Sequence, residues 1–201
     1  MAQIPRISET RLDFLKELAN IGVGNAATSL SEMLNNEKIS MEVPEVVVIP
    51  LQDITAFIEE EQPVAAIFFE ARSEDFKLMI ILILPEKSAQ VLVRKVLPTP
   101  SEKMGEMERS ALTEIGNIVN SAYLNALSAL TGITIMPSPP NMALDMGGAI
   151  LGTILAETFM VEDYLILSVT SISTEKDDIT GNVIVFPYQG SMERIFNIMG
   201  V

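Results

Sequence analysis

Apolar residues recur at helical spacing from Ile7 to about Leu34, at Leu12, Leu15, Leu18, Ala19, Ile21, Leu30, Met33 and Leu34. That spacing predicts one long amphipathic helix. "ISETRLD" supplies its start, with Ser8 or Thr10 able to cap and acids in the first turn, and "NNEK" ends it. The pattern then turns β-rich over 41–49, 64–70 and 76–84, with the acidic "SED" as a hairpin turn between the last two. "PEKSAQVLVRKVL" at 85–97 predicts a helix with proline in its first turn, and 98–105 is a linker. A second long helix is predicted over 106–130, with Gly132 as its C-cap. After the connection "MPSPPN" come strands at about 148–158, 164–173 and 180–187, and "YQGSMERIFNIM" closes the chain as a helix.

The order of elements thus runs twice: long helix, strands, short helix. Sliding the halves by 97 positions superposes Leu15 on Leu112, Glu17 on Glu114, Asn20 on Asn117, Ile21 on Ile118, Leu30 on Leu127 and Ser31 on Ser128. We read an internal repeat, approximately 8–97 and 105–201, with a pseudo-two-fold axis. The expected fold is α/β of the α+β kind, one domain over 1–201. Its two long helices pack side by side on one face of a mostly antiparallel sheet.

Each long helix also carries a polar stripe. At 100° per residue, Asp13, Glu17, Asn20 and Gly24 fall within an arc of about 60°, and Ser110, Glu114, Asn117 and Ser121 fill the same arc in the second helix. A solvated helix face is the bland alternative, and it suits glutamate. It suits asparagine poorly, because the amide competes for nearby backbone groups. A carboxylate can anchor a partner's cation or act as a base, and an amide that donates and accepts can hold a water in a chosen orientation. Gly24 and Ser121 leave space beside each pair. Asn120 and Tyr123 follow the second pair where Val23 and Ala26 follow the first, so bulk beside the second pair predicts a stronger first site.

Composition narrows the chemistry. The 201 residues contain no cysteine and no histidine, which excludes thiolate nucleophiles, disulfides and serine–histidine catalysis. A formal net charge of −14 argues against nucleic acid and anionic membranes as partners. The most apolar runs, "LMIILIL" and "GGAILGTILA", are too short to span a bilayer and suit buried segments. No targeting segment is evident, and cytoplasmic residence is expected. "NIGVGNAA" has no lysine to make a phosphate loop. One carboxylate and one amide per stripe are too few to hold a metal. Each pair resembles half an active site.

At these residues the chain resembles the CheC-type phosphatases of chemotaxis, a family that includes CheC, CheX and FliY. The family pattern is Asp or Ser, three residues, Glu, two residues, Asn, then about 22 residues and Pro. The second copy fits as Ser110, Glu114, Asn117 and Pro140, and the first as Asp13, Glu17 and Asn20, with Pro44 one residue late. Two motifs resemble CheC more than single-motif CheX. The resemblance implies hydrolysis of the aspartyl phosphate of CheY, with Asn orienting the attacking water and Glu pairing with the regulator's lysine. It implies that this chain binds no cofactor, and that magnesium comes with phosphorylated CheY. Relatives also bind the deamidase CheD, so a weakly catalytic adaptor stays open as an alternative. Segment 142–157, "MALDMGGAILGTILAE", is a candidate CheD contact, with core strand and connection the plainer reading.

Overall fold

The structure is a computed structural model that describes residues 7–34, 36–101, 104–157, 163–173 and 178–201. Helix α1 (Glu9–Met33) begins where the Ser8 hydroxyl accepts the Arg11 N–H at 3.2 Å, the capping expected from "ISET". Strand β1 (Ser40–Pro50), a 3-10 turn (Leu51–Ala56), the hairpin β2 (Pro63–Arg72) and β3 (Lys77–Pro85), and α2 (Glu86–Val96) complete the first half. The hairpin turn closes on Ser73, whose hydroxyl accepts the N–H groups of Asp75 and Phe76. Helix α3 (Glu106–Thr131) opens the second half and stops at Gly132, whose φ of 71° is a left-handed cap that glycine adopts without strain. Then follow β4 (Met136–Pro137), β5 (Asn141–Met146), α4 (Gly147–Glu157), β6 (Tyr164–Ser173), β7 (Asp178–Pro187) and α5 (Ser191–Met199).

One antiparallel sheet runs in the order β1-β6-β7-β3-β2, with β4 and β5 both paired to the outer edge of β2. Exchanging each element of one half for its counterpart in the other (β1 for β5, β2 for β6, β3 for β7) reverses this order and leaves it unchanged. The two edges even break alike. On β1 the register shifts between Glu42 and Glu45, so that Pro44 directly precedes the segment Glu45–Pro50 that pairs with β6. On the opposite edge Pro140 directly precedes Asn141–Met146, which pairs with β2. Proline has no N–H to give a ladder, so it sits at edges and interruptions. The one-residue slip between the two sequence motifs therefore places both prolines at matching points of the fold.

Strand β3 is buried on both sides. Leu78, Ile80, Leu82 and Leu84 face a core shared with α1, α2, α3 and α5, while Met79, Ile81 and Ile83 face a second core under α4 and the 3-10 turn. Each such side chain contributes about 1.5–3 kcal/mol on burial. Helices α1 and α3 pack together over the first core. There a Cβ on Gly22 would come within 3.0 Å of the Tyr123 ring.

The strand expected at 148–158 is helix α4. Ile150, Leu151 and Ile154 lie buried on one side of it, a helical spacing that an unbroken apolar run conceals. Its start docks on the loop after the 3-10 turn. The N–H groups of Gly147 and Gly148 donate to Gln62 and Glu60 carbonyls at 2.8 and 2.9 Å, and a Cβ on Gly147 would lie 2.4 Å from the Glu59 carbonyl oxygen. The strand of this region is β5, an edge strand within and just after what reads as a proline-bearing connection. Among the described residues no helix is long and apolar enough to cross a membrane.

At one end of the sheet Glu70 accepts from Lys77 and the Tyr188 hydroxyl at 2.6 Å each, and from Arg72 Nε at 3.1 Å. Partial burial alone would raise the Glu70 carboxyl. The hydrogen bonds from Lys77, Tyr188 and Arg72 outweigh burial and hold it at about 2, against an ordinary 4.5. Because the folded value is depressed, the contribution of Glu70 is complete above about 4.5 and is lost as pH falls toward 2. Glu70→Gln should therefore cost most stability near neutral pH. In denaturant titrations at pH 7, 4 and 2.5 the gap between the native protein and the variant should narrow stepwise; a constant gap would contradict this origin.

Candidate phosphatase surface on the two long helices

The buried side of α1 is Phe14, Leu15, Ala19 and Val23, so the geometry of the helix leaves Asp13, Glu17, Asn20 and Gly24 exposed. On α3 the buried side includes Leu112, Ile115, Gly116 and Val119. Ser110 and Glu114 are exposed, and Asn117 and Ser121 are half-buried. All eight stripe residues thus lie on the solvent side of the helices, away from the sheet.

The stripes are lightly held by their own chain. Asp13 stands 3.9 Å from Lys16, and the Ser121 hydroxyl donates to Asn117 Oδ1 at 3.4 Å. Among the described residues no side-chain hydrogen bond or ion pair engages Glu17, Asn20 or Glu114. Gly24 stands where Ser121 stands in α3, so Asn20 lacks the hydroxyl that steadies Asn117. A Cβ on Gly24 would meet nothing within 4 Å. The fold itself therefore does not require glycine at that position.

The two stripes do not merge into one site. Asn117 and Ser121 border an open depression between the helices, completed by Asn125 and, from α1, by Asn25, Thr28 and Ser29. Glu17 and Asn20 stand outside it. These α1 contributors escaped the sequence reading, although Thr28 continues the 13–17–20–24 row by one more turn. Its hydroxyl donates back to the Gly24 carbonyl at 3.1 Å.

Asn120 and Tyr123 do not crowd the approach to the second pair, contrary to the sequence expectation. Both are buried. Asn120 Nδ2 donates to the Ile67 carbonyl of β2 at 3.0 Å, and the Tyr123 hydroxyl lies 3.0 Å from Ser168 Oγ of β6. Burial raises the Tyr123 phenol. The reason for expecting a stronger first site falls away.

What the arrangement offers a partner is two acid–amide pairs, each one helical turn long, on adjoining helices. A carboxylate there can hold a cation of an approaching protein, and an amide can hold a water. The profile of the CheC-like family matches residues 11–48 and 107–142, the two helix-and-strand segments that carry the stripes and end at the paired edges. The curated protein "CheY-P phosphatase CheC" of Bacillus subtilis (strain 168) is 33% identical over 202 residues, which cover 96% of each chain. Among solved structures, FliY of Thermotoga maritima superposes with a TM-score of 0.75 at 21% identity, over 100% of this chain and 98% of that one. A chain of the CheX-CheY-BeF3-Mg+2 complex from Borrelia burgdorferi gives 0.53 at 17% identity, over 88% and 99%. With one residue in three shared along nearly the whole length of both chains, this protein belongs to the CheC-like family.

Proposed function

We propose that this protein hydrolyses the aspartyl phosphate of phosphorylated CheY, working through its two acid–amide pairs. The observation that carries the reading is the duplicated pair itself: Glu17 with Asn20 and Glu114 with Asn117, on the solvent side of adjacent helices and scarcely engaged by their own chain. Its relative in Bacillus subtilis is a CheY-P phosphatase by name. In the proposed mechanism Glu17 or Glu114 pairs with a lysine of the regulator and fixes the docked orientation. Asn20 or Asn117 then enters the regulator's site and holds one water in line with the phosphorus. The water oxygen bonds to phosphorus as the bond to the aspartate oxygen breaks, giving free aspartate and inorganic phosphate. Magnesium comes with the regulator as part of the substrate. Holding a single water in line removes an orientational search, which is how a surface without histidine or cysteine accelerates hydrolysis.

A second reading, an adaptor that binds CheD, draws on segment 142–157. Met146 is 40% exposed at the sheet edge, and Gly152 and Thr153 lie exposed on α4. Retained CheD binding by a variant without phosphatase activity would favour that reading.

Asn20→Ala should remove turnover at the first pair and Asn117→Ala at the second. Alanine favours the helix, so stability should not fall. The double variant should lose about 100-fold or more in phosphate release while still docking. Full turnover in the double variant would rule out the mechanism. Glu17→Ala and Glu114→Ala should weaken binding by roughly 10–100-fold, the range of a charge-assisted hydrogen bond of about 1.5–3 kcal/mol.

Magnesium should be required for turnover of the regulator, whereas calorimetry of the isolated protein should show no micromolar magnesium binding. Tight binding there would place the metal on the wrong partner.

Gly24 separates packing from docking. Since a Cβ meets nothing there, Gly24→Ala should stabilise α1 by about 0.5–1 kcal/mol. Gly24→Leu in an Asn117→Ala background should raise KM for phosphorylated CheY, because the side chain fills the space a partner needs. An unchanged KM would show that no partner approaches Gly24.

A further inference from the structure

Helix α3 packs tightly on one residue of β2, Ile67. A Cβ on Gly116 would lie 2.5 Å from the Ile67 side chain, closer than real Cβ contacts come. One turn later Asn120, wholly buried, donates from Nδ2 to the Ile67 carbonyl at 3.0 Å. Its Oδ1 finds no hydrogen-bond partner among the described residues. So Gly116 and Asn120 grip the same residue, one by its side chain and the other by its carbonyl. Asn117 lies between them in sequence, and Glu114 two positions before Gly116.

An amide half-satisfied in an apolar core is costly. A buried acceptor without a partner gives up its hydration and gains no bond in return, and a valine would avoid that loss. Helix α1 has that solution: Val23 occupies the matching position, buried in the apolar core, with Ala19 in place of Gly116. The bond is also additional to the sheet pairing of Ile67, which faces Leu82 on β3 and Met142 on β5. Stability alone would favour valine in α3 as well.

We infer that Asn120 is a positioning residue for the Asn117 site: its bond to the Ile67 carbonyl, with Gly116 seated on the Ile67 side chain, fixes the rotation and height of α3. This rests on the proposed water-positioning role of Asn117. With side chains reaching about 5–6 Å from the helix axis, a rotation of roughly 10° carries their tips by about 1 Å. A misplacement of that size can cost about 100-fold in rate. An apolar contact slides under such a rotation, whereas a hydrogen bond at 3.0 Å loses its alignment.

The test is Asn120→Val in an Asn20→Ala background, where turnover comes from the Asn117 site. The expected result is a fall in kcat of roughly tenfold or more, with KM changed little because Glu114 still anchors the regulator. The Tm should be equal or higher, since a half-satisfied amide has been removed. In an Asn117→Ala background the same substitution should leave first-site turnover unchanged. If the valine variant folds poorly, Asn120→Thr is the second choice, β-branched and too short to reach the Ile67 carbonyl. A regulator-free measurement runs alongside: the Asn117 side-chain amide resonances in a ¹⁵N spectrum should shift in Asn120→Val. An unchanged kcat together with an unshifted Asn117 amide would overturn the inference. So would a loss of activity that only tracks a lower Tm, or an equal loss at both sites. If Asn117→Ala and Asn20→Ala leave turnover intact even when combined, the water-positioning reading is what has failed. The Asn117 resonances then still decide whether Asn120 sets the seat of α3.

Discussion

Between Leu78 and Ile83, β3 pairs with β7 from Pro187 to Asn182, and β3 is buried on both faces over that whole span. Neither half of the chain can cover such a strand alone. Each half supplies one central strand, one edge and one long helix, so the pairing at the middle brings both long helices onto the same side of the sheet. The rest follows from that placement. Once α1 and α3 share a face, their apolar sides are committed to the sheet and to each other. Their polar rows are then left on the solvent side.

The helix-to-helix contact adds a second constraint. Tyr123 reaches from α3 to Ser168 on β6, and its ring stands so close to Gly22 of α1 that a Cβ there would come within 3.0 Å of it. Gly22 lies two positions after Asn20 but on the buried side of α1, so the ring supports the helix from the face opposite the first pair. The Asn120 bond to Ile67 gives α3 a second polar hold on the sheet. Helix α1 rests instead on apolar contact beside a cavity of about 30 Å3 lined by Phe14, Leu15, Leu18 and Ala19 among others. The two pairs share their residues but not their foundations.

Much of this was legible from the order of residues. The 3.6-residue rhythm placed α1 and α3, the capping residues Ser8 and Gly132 marked real ends, and the repeated Glu and Asn marked the exposed rows. Helix α4 was not legible, because in "GGAILGTILAE" Thr153 is the one polar residue before the final glutamate, too few to reveal a period. Gly147 and Gly148 serve a close approach to the Glu59 and Glu60 backbone. Strand β5 was hidden by the prolines before it. Asn120 sits about 90° from the centre of its polar row and Tyr123 about 150°, so the helical wheel itself set Tyr123 in the core. Only Asn120 was ambiguous, since an amide on the flank of a helix fits either side until its partner is known.

That ambiguity bears on how a surface without histidine or cysteine could do chemistry. In the proposed hydrolysis, metal and electrophile come with the regulator, and this protein contributes one carboxylate and one amide at the right place and angle. Such a contribution consists of geometry alone. Its effectiveness then depends on the stiffness of the helix that carries it, which is set below the site rather than in it. A buried half-satisfied amide in α3 makes little sense as a device for stability, where valine serves better. It makes sense as a device for orientation, because a directional bond resists the rotation that apolar packing permits.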